Sequence, residues 1–226
     1  MLQNDKTKLK TWRLEKLNNC KEFPKFLYYL SHLENFESII DHGILSKNET
    51  VKKKLNTTSF ADNDVQSWRK SRECAISNFE NKKLHDLVPL YLNPKTPTLY
   101  ARKPIQNRLF LCLIDSKQLI SDTEMEFAFT DGNAANRTTK FYRNLIDLNC
   151  LNWDIINSLS WNDKPDGKRI RNSEFLIFPN LIEKTGQMPE MLYLQAPDIV
   201  PLWLVWLKIK SLDVFNVLFG HGFGSS

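Results

Sequence analysis

Apolar residues in this chain come in runs of strand length. Phe26–Leu30 (FLYYL), Leu109–Asp115 (LFLCLID) and Glu174–Phe178 (EFLIF) are each short and bounded by polar segments. Runs of this kind build buried strands, so the chain has to assemble a sheet. His85–Asn93 (HDLVPLYLN), Phe127–Thr130 and Met191–Gln195 are further strand candidates. The first run passes straight into a helix signal. Ser31 and Glu34 have the S-x-x-E spacing of a capping box, Phe36, Ile39 and Ile40 follow as an apolar face, and Gly43 supplies a left-handed stop.

Helical spacing recurs elsewhere. Near the start, Leu9, Trp12 and Leu17 share a face, with Lys6, Lys8, Lys10, Arg13 and Lys16 around the rest. That pattern suits a basic helix packed by one stripe, or a DNA-binding arm. Val65–Arg72, Thr139–Leu148 and Trp153–Leu159 are the other helical candidates. Lys47–Lys83 is otherwise polar and irregular, Asp131-Gly132 marks a turn, and Trp161–Arg171 (WNDKPDGKRIR) reads as a polar loop. Without an internal repeat or a linker, residues 1–226 are expected to form one α+β domain.

Composition removes several function classes. Seven glycines are few for this length, and neither GxGxxG nor GxxxxGK[ST] occurs, which argues against Rossmann and P-loop nucleotide sites. Cys20, Cys74, Cys112 and Cys150 are dispersed and the histidines form no H-x-x-x-H pair, so no metal is expected. A G-x-S-x-G elbow is also lacking. The apolar stretch Ile199–Leu207 falls short of the roughly 20 residues that span a bilayer, and is read as a core or edge element. Together with the polar N-terminus, these features point to a reducing, cytoplasmic setting and no membrane partner. A formal charge of +5 tilts the chain toward polyanions.

Glu174 is the acid that physics singles out. It opens an apolar strand, just after a basic loop carrying Lys164, Lys168, Arg169 and Arg171. A carboxylate at a sheet end can stabilise developing positive charge; a strand-end glutamate paired with Arg171 is the competing reading. Arg69 is either a site guanidinium or a solvated helix charge beside Lys70 and Arg72, and Tyr91 either a stacking ring or a core tyrosine.

Five ordered segments carry a family resemblance: FLYYLSHLENFESIIDHGIL, VQSWR, LHDLVPLYLNPKTPTLYA, FAFTDGN and RNSEFLI. In this order and spacing, over about residues 26–183, the chain resembles the DarT family of DNA ADP-ribosyltransferase toxins. The basic N-terminal helix and the tail lie outside the resemblance. It implies a split antiparallel sheet with flanking helices that grips NAD⁺ as co-substrate without a Rossmann motif. By similarity Glu174 is the catalytic glutamate, holding the nicotinamide-ribose 2′-hydroxyl and stabilising an oxocarbenium-like transition state.

Further roles follow from the same resemblance. Arg69 matches the arginine of the family's I-Q-x-x-R segment and is assigned to catalysis and NAD⁺ binding. Tyr29, Ser31 and Tyr91 are expected at the NAD⁺ cleft, with Tyr29 standing where the family has the first histidine of Y-H-I-T-H. On charge and ring chemistry rather than resemblance, Trp68, Arg72, Lys168, Arg169 and Arg171 are expected to contact single-stranded DNA; the resemblance implies thymidine as the typical acceptor. A macrodomain antitoxin is the implied partner, and a monomer is expected. A weakened member that binds without transfer, and a transferase acting on RNA or protein, are the alternatives.

Overall fold

The computed structural model describes residues 3–74, 76, 79, 82–179, 194 and 195. Its strands are β1 (Phe26–His32), β2 (Val88–Tyr91), β3 (Leu109–Asp115), β4 (Glu126–Thr130), β5 (Phe141–Tyr142), β6 (Glu174–Phe178) and β7 (Leu194–Gln195). They form one open sheet in the order β5-β4-β6-β2-β1-β3-β7, with every pairing antiparallel. The helices are α1 (Gln3–Asn18), α2 (Phe36–His42), α3 (Lys47–Lys52), α4 (Asn63–Ser71), α5 (Pro97–Ala101), α6 (Ser116–Ser121), α7 (Trp153–Ile156) and α8 (Gly167–Ile170). The mixed α+β expectation therefore holds.

The sheet is held unevenly. β1 and β3 pair along seven consecutive positions, from Phe26↔Asp115 to His32↔Leu109. β1 and β2 register only at Tyr28↔Tyr91. β2 contains Pro89, which has no N–H to give to a ladder. The sheet thus splits at β1/β2, and the site described below opens there.

Apolar side chains alternate to two faces, as strand geometry requires. On one face Leu27, Cys112, Ile114, Phe129 and Phe175 pack against Leu17 of α1 and Leu119 and Ile120 of α6. On the other, Phe26, Leu30, Leu111 and Leu113 meet Leu99 of α5. Phe127, Phe129 and Phe175 stack in series, with centroids 5.1 and 6.1 Å apart.

Several local expectations are corrected. Pairing with β3 keeps the backbone extended through His32, so Ser31 lies inside a strand and caps nothing. His32 caps instead: its Nδ1 accepts from the Glu34 N–H at 3.2 Å and opens a 3₁₀ turn ahead of α2. Gly43 does end α2, at φ 75°. On α1 the buried stripe holds Arg13 in place of Trp12, which is 47% exposed. The Arg13 guanidinium donates to the Asp122 carbonyl at 2.7 Å, so its stem packs while its head is satisfied.

Thr139–Leu148 is not a helix. Phe141 and Tyr142 form β5 because β4 offers them an unpaired edge, through Phe129↔Tyr142 and Thr130↔Phe141; a 3₁₀ segment follows at Leu145–Cys150. The Trp153–Leu159 helix shrinks to α7, and the loop before Glu174 contains α8, entered through Asp166 at φ 57°. Of Met191–Gln195 only β7 is described, and Ile199–Leu207 lies outside the described residues. Among the described residues, no helix is long and apolar enough to cross a membrane.

Candidate active site

Glu174 is the first residue of β6 and is 2% exposed. Its partner is Arg69, near the end of α4, not Arg171. A single nitrogen, Arg69 Nη1, donates to both carboxylate oxygens, at 3.0 Å to Oε1 and 2.9 Å to Oε2. The Ala134 backbone N–H adds a third bond to Oε1 at 3.0 Å. Oε2 therefore carries fewer bonds than its two lone pairs and charge can accept.

The other arm of Arg69 is unusual. Nη2 is buried, and among the described residues it has no hydrogen-bond partner. A buried donor left unpaired costs about 1–3 kcal/mol, and more when charged. That cost is offset when a ligand supplies an acceptor, and Arg69 lines both cavities found at the sheet split.

The first cavity, about 280 Å³, is lined by Tyr29, Arg69, Tyr91, Lys168, Asn172 and Glu174 among others. The second, about 180 Å³, adjoins it through Tyr29, Gln66 and Arg69, and adds Ser31, Asn35 and His85. Tyr29 and Ser31 share one face of β1, by strand alternation, while Tyr28 and Leu30 share the other. Tyr91 lies directly across from Glu174 in the β2–β6 register. Burial, then the nearby Glu174 charge, push its phenol up to about 12. Burial also raises the Tyr29 phenol, so both rings stay neutral at ordinary pH.

Gln66 and His85 belong to the site although the sequence alone assigned them no role. His85 Nε2 and Gln66 Oε1 are 3.1 Å apart, one turn before Arg69 on α4. Burial first, then the positive Arg69, lower the His85 pKa and favour its neutral form. Gln66 could have been found from the Q of the matched I-Q-x-x-R segment. Ala134 could not, because its contribution is a backbone N–H that any residue supplies.

The expected DNA-contacting residues separate into four groups. Lys168 lines the main cavity. Trp68, 50% exposed, and Arg72 lie on the outer side of α4; Arg72 donates to the Ala135 and Thr139 carbonyls and covers the Phe141 ring. Arg169 braces two loops, giving Nη1 to Asp131 Oδ1 at 2.9 Å and Nε to Asp166 at 2.5 Å.

Arg171 is a correction. It is 2% exposed, and its guanidinium donates to Lys95 O, Asn93 Oδ1 and Ile156 O. Buried itself and bonded to all three, the side chain is a structural tie and is not presented to a ligand.

Two turn residues hold this arrangement. Thr130 Oγ1 accepts from the Glu174 N–H at 3.0 Å and donates to Gly132 O at 2.6 Å, which fixes where β6 begins. At Gly132 a Cβ would stand 2.4 Å from Arg169 Nη1 and 2.8 Å from its Cγ. Gly132→Ala is therefore expected to displace Arg169, break its Asp131 and Asp166 bonds, and cost about 1–3 kcal/mol. Urea unfolding checks this; an unchanged midpoint would mean that Arg169 relocates freely. Among the described residues no three His, Cys, Asp or Glu side chains converge as a metal site requires.

The chain is similar to known proteins in sequence and in fold. The family model for "ssDNA thymidine ADP-ribosyltransferase, DarT" matches residues 28–182. A DNA ADP-ribosyl transferase of Thermus aquaticus is 29% identical over 188 residues, covering 78% of this chain and 81% of that protein. A transferase–glycohydrolase fusion protein of Thermosipho africanus is 32% identical over 163 residues, covering 69% of this chain and 40% of the fusion. Among solved structures, Thermus sp. 2.9 DarT in complex with ADP-ribosylated ssDNA superposes with a TM-score of 0.64 at 23% identity, over 72% of this chain and 80% of that one. The same protein in complex with NAD⁺ gives 0.58 at 22% identity, over 72% and 82%.

Proposed function

The chain belongs to the DarT family of single-stranded-DNA thymidine ADP-ribosyltransferases, and from that premise we propose that Glu174 and Arg69 together carry the transfer of ADP-ribose from NAD⁺ to a DNA base, typically thymidine. The observation that carries this reading is the asymmetric pair. One arm of Arg69 fixes the Glu174 carboxylate, the other is buried without a partner among the described residues, and the residue lines both cavities.

Glu174 Oε2 has room to accept the 2′-hydroxyl of the nicotinamide ribose. A carboxylate held there without reorganising stabilises the positive charge that grows on the ribose as nicotinamide leaves. Arg69 Nη2 is available to bind the pyrophosphate or to meet an acceptor base as its ring nitrogen loses a proton. Two adjoining cavities suit an extended dinucleotide, with Tyr29, Ser31 and Tyr91 on its path. Neutral Tyr91, level with Glu174, offers a ring face to the nicotinamide end.

The base has to leave any stack for its nitrogen to reach the ribose, which favours single-stranded DNA. Lys168 at the cavity and Trp68 and Arg72 beside it are the contacts we assign to that strand. The unit proposed to act is a monomer. The setting proposed is the cytoplasm, as a toxin countered by a macrodomain that removes the modification. The fusion of transferase and glycohydrolase in the Thermosipho africanus relative supports that pairing.

The test incubates the purified protein with NAD⁺ and short single-stranded oligonucleotides of varied sequence and weighs the DNA by mass spectrometry. A gain of one ADP-ribose, confined to thymidine-containing strands and lost in Glu174→Ala, is expected. Modification of RNA or of the protein itself, with DNA untouched, would reject the DNA acceptor.

A further inference from the structure

Next to the cleft, α4 turns a second pair of groups outward, and we infer that Trp68 and Arg137 form a stacking subsite for a nucleotide that flanks the acceptor base. The inference rests on DNA being the acceptor and adds where the rest of the strand is held.

Consecutive residues on a helix are turned by about 100°. Arg69 is buried against Glu174, and Trp68 beside it is turned away and 50% exposed. Tryptophan is highly buried on average, so a half-exposed indole next to the Arg69–Glu174 pair calls for an explanation. The guanidinium carbon of Arg137 lies 4.9 Å from its ring centroid. Arg137 is exposed, on the segment between β4 and β5, and forms no salt bridge among the described residues. One turn beyond Trp68, Arg72 is close enough to Arg137 for the like charge to count. A guanidinium over an exposed ring, with a second one held on Phe141 nearby, is a charge pattern that an anionic, aromatic ligand relieves.

The charge along α4 gives the track a direction. Asp62 and Asp64 occupy its start, with Asp62 capping the helix and reaching toward Arg102, while Arg69 and Lys70 occupy its last turn. A phosphodiester backbone is repelled by the first turn and attracted by the last, and so passes over the Trp68–Arg72 end. A base stacking on an open indole outweighs an exposed cation–π contact. The base therefore displaces Arg137 from the ring, and the released guanidinium meets a phosphate.

Fluorescence anisotropy with a labelled short single-stranded DNA, on the full chain and without NAD⁺, tests this. Trp68→Ala is expected to weaken DNA binding on the order of tenfold, with Trp68→Phe recovering most of it. Arg137→Gln should lower the slope of log K against log salt by about 0.7. Titration calorimetry should give all three variants the parent's NAD⁺ affinity. Parent-like DNA binding by Trp68→Ala, while the parent modifies DNA, overturns the subsite and leaves the function intact. A parent that binds NAD⁺ but neither binds nor modifies DNA overturns both. Loss of NAD⁺ binding in Trp68→Ala overturns the subsite by showing that the residue acts through the fold, and tighter Trp68-dependent binding of the matching RNA overturns the choice of DNA.

Discussion

Glu174→Gln is expected to slow ADP-ribose transfer by about 10²- to 10³-fold while NAD⁺ still binds. Glutamine is the informative replacement because the site tolerates it better than alanine. It keeps one oxygen for the Ala134 N–H, but sets an NH₂ against Arg69 Nη1, which now contacts both carboxylate oxygens. That mismatch costs about 1–3 kcal/mol. Alanine instead leaves the Arg69 guanidinium buried with no counter-charge, a loss of about 3–5 kcal/mol. Transfer measured alongside urea unfolding separates the two effects. A Glu174→Gln protein that transfers at the parent rate would remove Glu174 from the chemistry.

Arg171→Ala should act entirely through stability. Truncation removes a donor from the carbonyls of Lys95 and Ile156 and from the Asn93 side chain, which keeps the Lys95 N–H. Only the Ile156 carbonyl is left in a buried setting, and one buried polar group without its partner costs about 1–3 kcal/mol, which is the loss expected. Arg171→Lys should recover only part of that, since an ammonium cannot reproduce the planar fork. The folded fraction should bind DNA as the parent does. If Arg171→Ala kept the parent's urea midpoint and lost DNA affinity, Arg171 would return to the DNA-contacting set. Lys168, close by in sequence, carries the opposite expectation because it lines the cavity, whereas Arg169 braces the Asp131 and Asp166 loops.

The strands were legible in the sequence because burial writes itself into short apolar runs: Phe26–Leu30, Leu109–Asp115 and Glu174–Phe178 all sit in the sheet. The Gly43 stop was equally legible, since only a residue without Cβ adopts φ 75° at little cost. Glu174 stood out as a lone acid heading an apolar strand, and the ordered segments around it identified the family and its NAD⁺ chemistry. Those conclusions need only local composition and order.

Partners were a different matter. Arg69 and Arg171 look alike as sequence, both basic and both near an acid or a turn. Yet Arg69 meets Glu174 across 105 positions, and Arg171 meets Asn93 and Lys95 across the sheet's end. The capping role passed from Ser31 to His32 because pairing with β3 held Ser31 extended. Phe141 and Tyr142 became a strand because β4 had an open edge. Each of these outcomes turns on a contact between residues far apart in the chain, whose direction no local pattern encodes. Local order was enough to put Glu174 at the head of a buried strand; long-range packing made Arg69 its holder, with one arm on the carboxylate and the other buried without a partner among the described residues.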